Sequence, residues 1–284
     1  MPGDLSSIWW GLVLLGLCGG VVSGTLGLGS GLILVPALVL LFAVPQKSAQ
    51  GTAPLEKAAE RFEEETGIHV AIYVCARHCA RPEAEEATGT TGGDDFLLEI
   101  ADAGIHDLAI GGAEYLLDDG EVRGIAQAGR RRTIAYRRSA IVVPNGNPKD
   151  IRSLEDLAKP GVRVGISMID CLKGLWEDVA GRPGLLEPIR RNITFRANGC
   201  VAIVEAVAQR VVDAAFGWSA FGHLDADRLE VVELPESQQV WRGTGVGMLS
   251  FAKSPELAQR FMDFLTTPEA RAFYEEFGWV APKD

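Results

Sequence analysis

Residues 193–216, ITFRANGCVAIVEAVAQRVVDAAF, decide the fold class of this chain. The β-branched and aromatic residues of 193–196 predict a strand, the apolar segment 201–208 predicts a helix, and 212–216 predicts a second strand. A strand, a helix and a strand in this order indicate a βαβ unit with parallel strands. Ligands of such sheets bind at the carboxyl ends of the strands, so the turns there are the first place to look for function.

The same alternation extends through the rest of the chain after Pro54. Further strands are predicted at 69–74, 107–110, 133–143, 162–166 and 229–234, and further helices at 55–66, 95–103 and 171–179. Two closing helices begin at Ser254-Pro255 and Thr267-Pro268, because a hydroxyl caps a helix and proline suits its first position. The alternation predicts parallel sheets with functional turns after Val74, Ile110, Ile166, Arg196 and Phe216.

Composition indicates a globular body behind an apolar leader. The chain has 284 residues, 47% of them hydrophobic, which is enough for one large core or two modest ones. Asp4 and Lys47 are the only charged residues among the first fifty, so nearly all of the net charge of −11 belongs to the remainder. An acidic body argues against a nucleic-acid partner.

The leader is predicted to meet the membrane. Residues 8–44 carry no charge, which is about twice the length that crosses a bilayer once. The opening MPGDLSSIWW lacks the basic start of a cleavable signal, so the leader is interpreted as retained. Glycines in 23–31 divide it, so residues 1–50 are predicted to be a membrane anchor or re-entrant hairpin. Alternatively, 38–44 is the first buried strand of the body.

Part of this leader has a recognisable pattern. It contains the stretch GLVLLGLCGGVVSGTLGLGSGLILVPALVLLF, within residues 8–45. This stretch resembles the start of the sulfite and sulfonate exporter-type (TauE/SafE) permeases. The resemblance covers about one helix and a loop of a multi-helix permease, so this fragment does not transport by itself.

The body resembles a different family. It contains, in this order, the stretches PLEKAAERFEEETGI, GRRRTIAYRRSAIVVPNGNP, DLAKPGVRVGI, VVDAAFGWSA and SPELAQRFMDFLTTPEARAFYEEFGWV. Together, across residues 54–280, they resemble the periplasmic molybdate- and tungstate-type binding proteins of ABC importers. The resemblance implies an α/β, two-lobed type II periplasmic-binding-protein fold behind the N-terminal hydrophobic membrane segment. Lobe 1 is then expected at 51–135 plus 240–284, and lobe 2 at 136–239.

The resemblance also implies a set of ligand-binding positions. Proteins of that family hold an oxyanion with hydroxyls and with backbone N–H groups at helix N-termini, where the helix dipole favours negative charge. Carried over position by position, the ligand-binding residues are Thr52, Thr91, Gly92, His106, Cys171, Cys200 and Trp218. His106 departs from the family, which commonly has a small residue there.

The cysteines leave a second ligand class open. Besides Cys171 and Cys200, the body contains the group Cys75, His78 and Cys79, on a segment that the family lacks. Four thiols form disulfides in an oxidising compartment, or they supply ligands to a soft metal ion such as zinc or copper. The group at 75–79 is therefore a tentative metal site, and a soft-metal-binding protein is the alternative to an oxyanion-binding one.

An enzyme is the alternative from another class, because a cleft cysteine beside a histidine can act as a nucleophile. The sequence contains no GxSxG, HExxH or phosphate-loop pattern, so no catalytic residue and no cofactor beyond the bound ligand is predicted. The arginines at 130–132 together with Arg137 and Arg138 are interpreted as a solvated face that can also contact a membrane partner or attract an anion.

The sequence thus predicts an extracytoplasmic solute-binding protein and not an enzyme. Its small inorganic ligand is expected to be a tetrahedral oxyanion, held between lobes that close about hinge strands near 136–143 and 234–246. The expected partners are the permease subunits of an importer, with residues 8–45 at the cell membrane and residues 51–284 on the periplasmic side.

Overall fold

The structure is a computed structural model that describes residues 53–73, 96–197 and 199–282. All of these belong to one unit of the chain, Ser48–Asp284. The helices are α1 (Ala53–Thr66), α2 (Phe96–Ala103), α3 (Glu114–Val122), α4 (Leu154–Leu157), α5 (Leu175–Gly181), α6 (Leu186–Arg190), α7 (Cys200–Ala208), α8 (Phe221–Leu224), α9 (Pro255–Leu265) and α10 (Pro268–Glu276). The strands are β1 (Leu108–Gly111), β2 (Ala126–Pro144), β3 (Val164–Ser167), β4 (Ile193–Ala197), β5 (Ala214–Trp218), β6 (Leu229–Glu233) and β7 (Trp241–Leu249).

The amphipathic helix α1 packs against the two closing helices. Its apolar face buries Phe62, whose ring centroid lies 5.1 Å from that of Phe261 and 5.4 Å from that of Phe264. On the rim of this contact, Arg61 Nε donates to a carboxylate oxygen of Glu269 at 2.6 Å. Burial of the aromatic rings supplies most of the attraction here, since exposed ion pairs contribute little.

The described strands form one mixed sheet in the order β1-β7-β2-β5-β3-β4, with β6 paired to β2. The prediction of parallel sheets is confirmed only for β3, which runs parallel to both β4 and β5. It is wrong for the other described pairs, because β1 and β2 pair antiparallel with β7, and β2 also pairs antiparallel with β5 and β6. Helix α7 is the crossover that lets β4 and β5 run in one direction, as the βαβ pattern of 193–216 predicts.

Strand β2 changes partners partway along its length. Residues up to Arg138 pair with β7, and from Ser139 onward the strand pairs with β5 and β6. Arg137 and Arg242 are directly opposite each other just before this change. The predicted hinge strands thus lie side by side over part of their length, while the boundaries of the two lobes stay a prediction.

Two local predictions are wrong. Residues 69–73 of the predicted strand at 69–74 are not in a strand, and this segment is tied to α1 by side-chain hydrogen bonds at Ile68 and Val70. Val70 N donates to Glu63 Oε1 at 2.5 Å, and Ile68 N donates to Thr66 Oγ1 at 3.2 Å. The helix predicted at 171–179 begins at Leu175, since Gly174 has a left-handed φ of 71° that interrupts it.

Four short helices, α3, α4, α6 and α8, were not predicted, because segments of four to nine residues carry too little periodicity. The predictions for residues 1–50, the membrane segment and the permease-like stretch among them, lie outside the described residues. Within the part of the chain that the structure describes, no helix is long and apolar enough to cross a bilayer.

Candidate functional site

Four of the predicted functional turns meet around Cys171. Its Sγ lies 3.3 Å from Cys200 Sγ, at the start of α7, and accepts a hydrogen bond of 3.4 Å from Trp218 Nε1, at the end of β5. On another side is Gly112, just after β1, where a Cβ would lie 3.0 Å from Cys171 Cβ. We call Gly112, Arg137, Cys171, Cys200 and Trp218 the Arg137 site. The predicted turn after Val74 lies outside the described residues.

Cys171 and Cys200 are present as thiols. Their sulfur atoms are 3.3 Å apart, whereas a disulfide bond is about 2.05 Å long, so one thiol donates to the other. Cys171 is buried, and Cys200 is half-buried. The Cys200 thiol, the Arg137 charge and the Trp218 indole N–H hold the pKa of Cys171 well below its usual range, against the effect of burial.

Arg137 is the most unusual group of the site. Its side chain is almost fully enclosed, with 6% of the residue exposed, and its guanidinium lies over the rings of Trp218 and Trp279, at 4.8 Å and 5.5 Å from the ring centroids. One terminal nitrogen donates to the carbonyl oxygen of Gly112, while the buried Nε has no hydrogen-bond partner. Among the described residues, no carboxylate forms an ion pair with it.

Arg242, directly across the β2–β7 ladder, has very different surroundings. It donates to the carbonyl oxygens of Cys171 and Lys173, each at 2.9 Å, and to Asp178 Oδ2 at 2.8 Å. Its charge is therefore compensated, and it holds the Cys171 loop in place. Two buried guanidinium groups facing each other are unfavourable unless an anion compensates both, and Asp178 compensates only Arg242.

The site also presents backbone donors. Helix α7 begins at Cys200 with Gly199 as N-cap, without a side-chain cap and without an acidic residue in its first turn. Ser167 Oγ, at the end of β3, accepts from Gly199 N at 3.2 Å and thus ties this helix start to the Cys171 loop. Unpaired amides at a helix N-terminus favour a negatively charged group.

Chemically, this arrangement favours an anion. A buried guanidinium with an unused N–H and a helix start are both donors, and neither is matched by a buried carboxylate among the described residues. Such donors suit the oxygen atoms of an oxyanion. The same region offers less to a soft metal ion than to an anion. No group of three or more metal-ligating side chains occurs in the described part of the chain.

The predicted site residues fall into three groups. Cys171, Cys200 and Trp218 are brought together, and Trp218 is fully buried. His106 is at the other end of β1 from Gly112, and its ring packs against Tyr73 with centroids 5.0 Å apart. Strand β1 has four residues and spans about 10 Å, so it separates His106 from the cysteines. The remaining ones lie outside the described residues: Thr52, Thr91, Gly92, Cys75, His78 and Cys79.

The sequence interpretation missed the role of Arg137. The arginines were interpreted as one solvated face, which is wrong for Arg137 and right for Arg131, which is exposed. Strand periodicity gave no clear signal, because Ala135 shares the parity of Arg137 along β2 and is buried, but Ile134 and Ala140 of the opposite parity are buried as well. Its neighbour Arg138 points the other way and pairs with Glu233 through two hydrogen bonds of 2.9 Å.

Comparison with known proteins identifies the family to which this chain is similar. Residues 48–280 match the family model described as a bacterial extracellular solute-binding protein. The molybdate-binding protein ModA of Mycobacterium bovis is 25% identical to the chain over 159 residues, which is 55% of this chain and 58% of that protein. The chain thus spans less than two thirds of the length of this curated relative.

Solved structures share the fold. Peb3 from Campylobacter jejuni superposes with a TM-score of 0.65 at 21% identity, covering 82% of this chain and 97% of that chain. PEB3 with L-phospholactate bound gives a TM-score of 0.65 at 22% identity, with 82% and 96% coverage. The periplasmic molybdate-binding protein of Azotobacter vinelandii gives 0.63 at 19% identity, covering 82% of this chain and 96% of that chain.

Proposed function

Because the chain belongs to the bacterial extracellular solute-binding proteins, we propose that it captures a small oxyanion at the Arg137 site for delivery to a membrane importer. The observation that carries this proposal is the buried guanidinium of Arg137, which has an unpartnered Nε and no carboxylate partner among the described residues. A bound anion supplies the missing negative charge. The role is one of binding and involves no covalent step.

The energetics favour this assignment. Enclosing a charged group without a counter-charge costs several kcal/mol, on the order of what a well-paired anion recovers. The faces of Trp218 and Trp279 offset part of this cost through cation–π attraction, about 1–2 kcal/mol for a desolvated pair. The Gly112 carbonyl offsets a further part. An oxyanion that accepts the free N–H of Arg137 and the amides of α7 completes the compensation.

The comparisons support an anionic ligand without deciding which one. One similar protein is named for molybdate and another structure holds L-phospholactate, so both ligands carry negatively charged oxygens. We favour a tetrahedral inorganic oxyanion of the molybdate or tungstate type. A soft metal ion on Cys171 and Cys200 is the second candidate, since their sulfur atoms lie 3.3 Å apart.

The rest of the assignment extends this proposal. We propose that Thr52, Thr91 and Gly92 add hydroxyl and backbone donors to the same anion. Closure of two lobes about β2 and β7 then encloses the ligand, because the closed form binds it better than the open one. We further propose a periplasmic location, membrane attachment through residues 8–45, and permease subunits of an ABC importer as partners.

The test measures ligand-induced stabilisation of the full-length protein. Its melting temperature is followed with molybdate, tungstate, sulfate, phosphate, L-phospholactate, Zn²⁺ and Cu⁺, under reducing conditions. A ligand at a hundred times its Kd stabilises the native state by about 2.7 kcal/mol, which shifts the melting temperature clearly. The matched variants are Arg137→Gln and Arg138→Gln, adjacent arginines of which only the first belongs to the Arg137 site.

We expect stabilisation by molybdate and tungstate, its loss in R137Q and its retention in R138Q. Arg137→Lys keeps the charge and loses the planar fork, so it should bind the anion more weakly than the wild type does. Stabilisation by L-phospholactate alone would reassign the ligand to organic phosphates. Stabilisation by Zn²⁺ or Cu⁺ and by no anion would overturn the proposal in favour of the second candidate.

A further inference from the structure

The two thiols of the Arg137 site are arranged for reaction with each other. Cys171 Sγ is enclosed by Trp218 Nε1 at 3.4 Å, by Cys200 Sγ at 3.3 Å and by Gly112, where a Cβ would lie 3.4 Å from it. Cys171 is 5% exposed, whereas Cys200 is half-buried. A dissolved reagent therefore reaches Cys200 first, and Cys171 reacts through Cys200.

The groups around Cys171 favour its thiolate form. Arg137 is the neighbouring positive charge, and the Trp218 N–H and the Cys200 thiol both donate toward a Cys171 thiolate. Thiolates are the nucleophiles of thiol–disulfide exchange, and the exchange is fast when the attacking thiol is already ionised near neutral pH. Cys171 is also the one group able to become negative that the described residues place beside Arg137.

We propose that Cys171 and Cys200 form a redox-active pair that closes to a disulfide by exchange with a small-molecule disulfide, and that this closure raises the anion affinity of the Arg137 site. The disulfide requires only the two thiols. The effect on affinity rests on the anion-binding function proposed above. In the oxidised form, Cys171 can no longer ionise beside Arg137, so the guanidinium is left for the ligand.

The reaction balances in two displacements. Cys200, as its thiolate, attacks one sulfur of the reagent RSSR, which forms a Cys200–SR mixed disulfide and releases RS⁻. The Cys171 thiolate then attacks the Cys200 sulfur, so that the Cys171–Cys200 bond forms and the second RS⁻ leaves. The protein gives up two electrons and the single proton of Cys200, RSSR is reduced to RSH and RS⁻, and the RS⁻ takes its proton from water. Dithiothreitol reverses the sequence.

The structure indicates why closure requires little rearrangement. The sulfur atoms must approach from 3.3 Å to about 2.05 Å. Cys200 begins α7, and Cys171 lies in the segment between β3 and α5. Gly199, directly before Cys200, has a φ of 99°, and its N–H already bonds to Ser167 Oγ on the Cys171 side. The bond thus joins two segments that are neighbours in the reduced protein.

The first experiment maps the disulfide. Full-length protein is treated with glutathione disulfide, digested without reductant and examined by mass spectrometry. We expect a peptide that links Cys171 to Cys200 and that disappears after dithiothreitol treatment. Absence of this linked peptide, with both cysteines recovered as thiols or as glutathione adducts, would contradict the redox pair. This readout does not depend on any ligand.

The second experiment measures tungstate affinity of the oxidised and the reduced protein by calorimetry. We expect binding to be on the order of tenfold tighter after oxidation, because the disulfide removes the ionisable thiol that lies beside Arg137. C171S should bind tightly without oxidation, and C200S should lose the response to glutathione disulfide. C18S, which removes a cysteine of the leader, should keep the response.

The outcomes separate the two proposals. A mapped disulfide with equal tungstate affinity in both states contradicts the coupling to the anion site. If C171S folds poorly, the comparison of oxidised with reduced wild-type protein still decides this point. A mapped disulfide in a protein that binds tungstate in neither state overturns the proposed function and the coupling with it, and establishes the redox pair alone.

Discussion

Arg137 illustrates how one residue acquires its role from its neighbours. The adjacent Arg138 has the same side chain, but it pairs with Glu233 at the surface, whereas Arg137 is buried under Trp218 and Trp279. Gly112 makes this burial possible, because its carbonyl accepts from the guanidinium and its missing Cβ leaves room. A glycine after β1 is therefore a requirement of the site.

We predict that Gly112→Ala weakens both the fold and the site. The added Cβ would lie 2.7 Å from an Arg137 terminal nitrogen and 3.0 Å from Cys171 Cβ, so one of them must move. Overpacking of this kind costs about 1–3 kcal/mol. Urea denaturation should show this loss, and tungstate stabilisation should fall as well, since the guanidinium is displaced.

Gly181→Ala is the matched control for this prediction. Gly181 ends α5, and a Cβ there would meet nothing closer than 3.7 Å, so alanine fits and suits the helix. We expect an unchanged or slightly higher stability and unchanged tungstate stabilisation. Equal effects of the two substitutions would show that steric crowding at Gly112 is not what matters.

At the level of elements, two helix starts with the same sequence pattern differ in their caps. Ser254-Pro255 and Thr267-Pro268 both predict a helix start, and α9 and α10 begin there, as predicted. Thr267 Oγ1 accepts from Ala270 N at 3.2 Å, whereas Ser254 forms no side-chain cap. Near Ser254 the carboxylate of Asp107 accepts from Lys253 N and Ser254 N at 2.7 and 2.8 Å.

This difference predicts unequal effects of removing the two hydroxyls. Thr267→Ala should cost about 1 kcal/mol, the usual contribution of a helix N-cap. Ser254→Ala should stay within about 0.5 kcal/mol of the wild type, because its hydroxyl caps nothing. Chemical denaturation of the two variants measures both values. Equal losses would contradict the cap assignments.

At the level of the whole molecule, one main core joins distant parts of the chain. Its buried residues include Phe62 of α1, Ile141 of β2, Ile166 of β3, Phe216 of β5 and Met262 of α9. Strand β2 pairs with β7 on one stretch and with β5 and β6 on the next, so neither group of strands is complete without it. Such shared packing makes unfolding cooperative.

We therefore predict a single unfolding transition for the Ser48–Asp284 unit within the full-length protein. Far-ultraviolet circular dichroism and tryptophan fluorescence should give the same midpoint, and saturating tungstate should move both midpoints upward together. Two separate midpoints would show that the predicted lobes unfold independently. Movement of only one midpoint with tungstate would show that the anion stabilises one of them.

By itself, the sequence determined the kind and order of most described elements and named three residues of the site. Strand and helix periodicities are local, so they identified the βαβ unit of 193–216 and the starts of α9 and α10. The family resemblance, carried over position by position, also pointed to Cys171, Cys200 and Trp218. The lobe boundaries and the donors at Thr52, Thr91 and Gly92 stay predictions.

Only the tertiary structure decided the order and direction of the strands and the role of Arg137. Pairing of β1 and β2 with β7 joins segments that are far apart in the chain, and no local pattern encodes such a partner. Burial of Arg137 depends on Gly112, Trp218 and Trp279, which come from three other segments. A charged residue appears solvated in the sequence until the surfaces that enclose it are known, because burial is a property of the assembled chain.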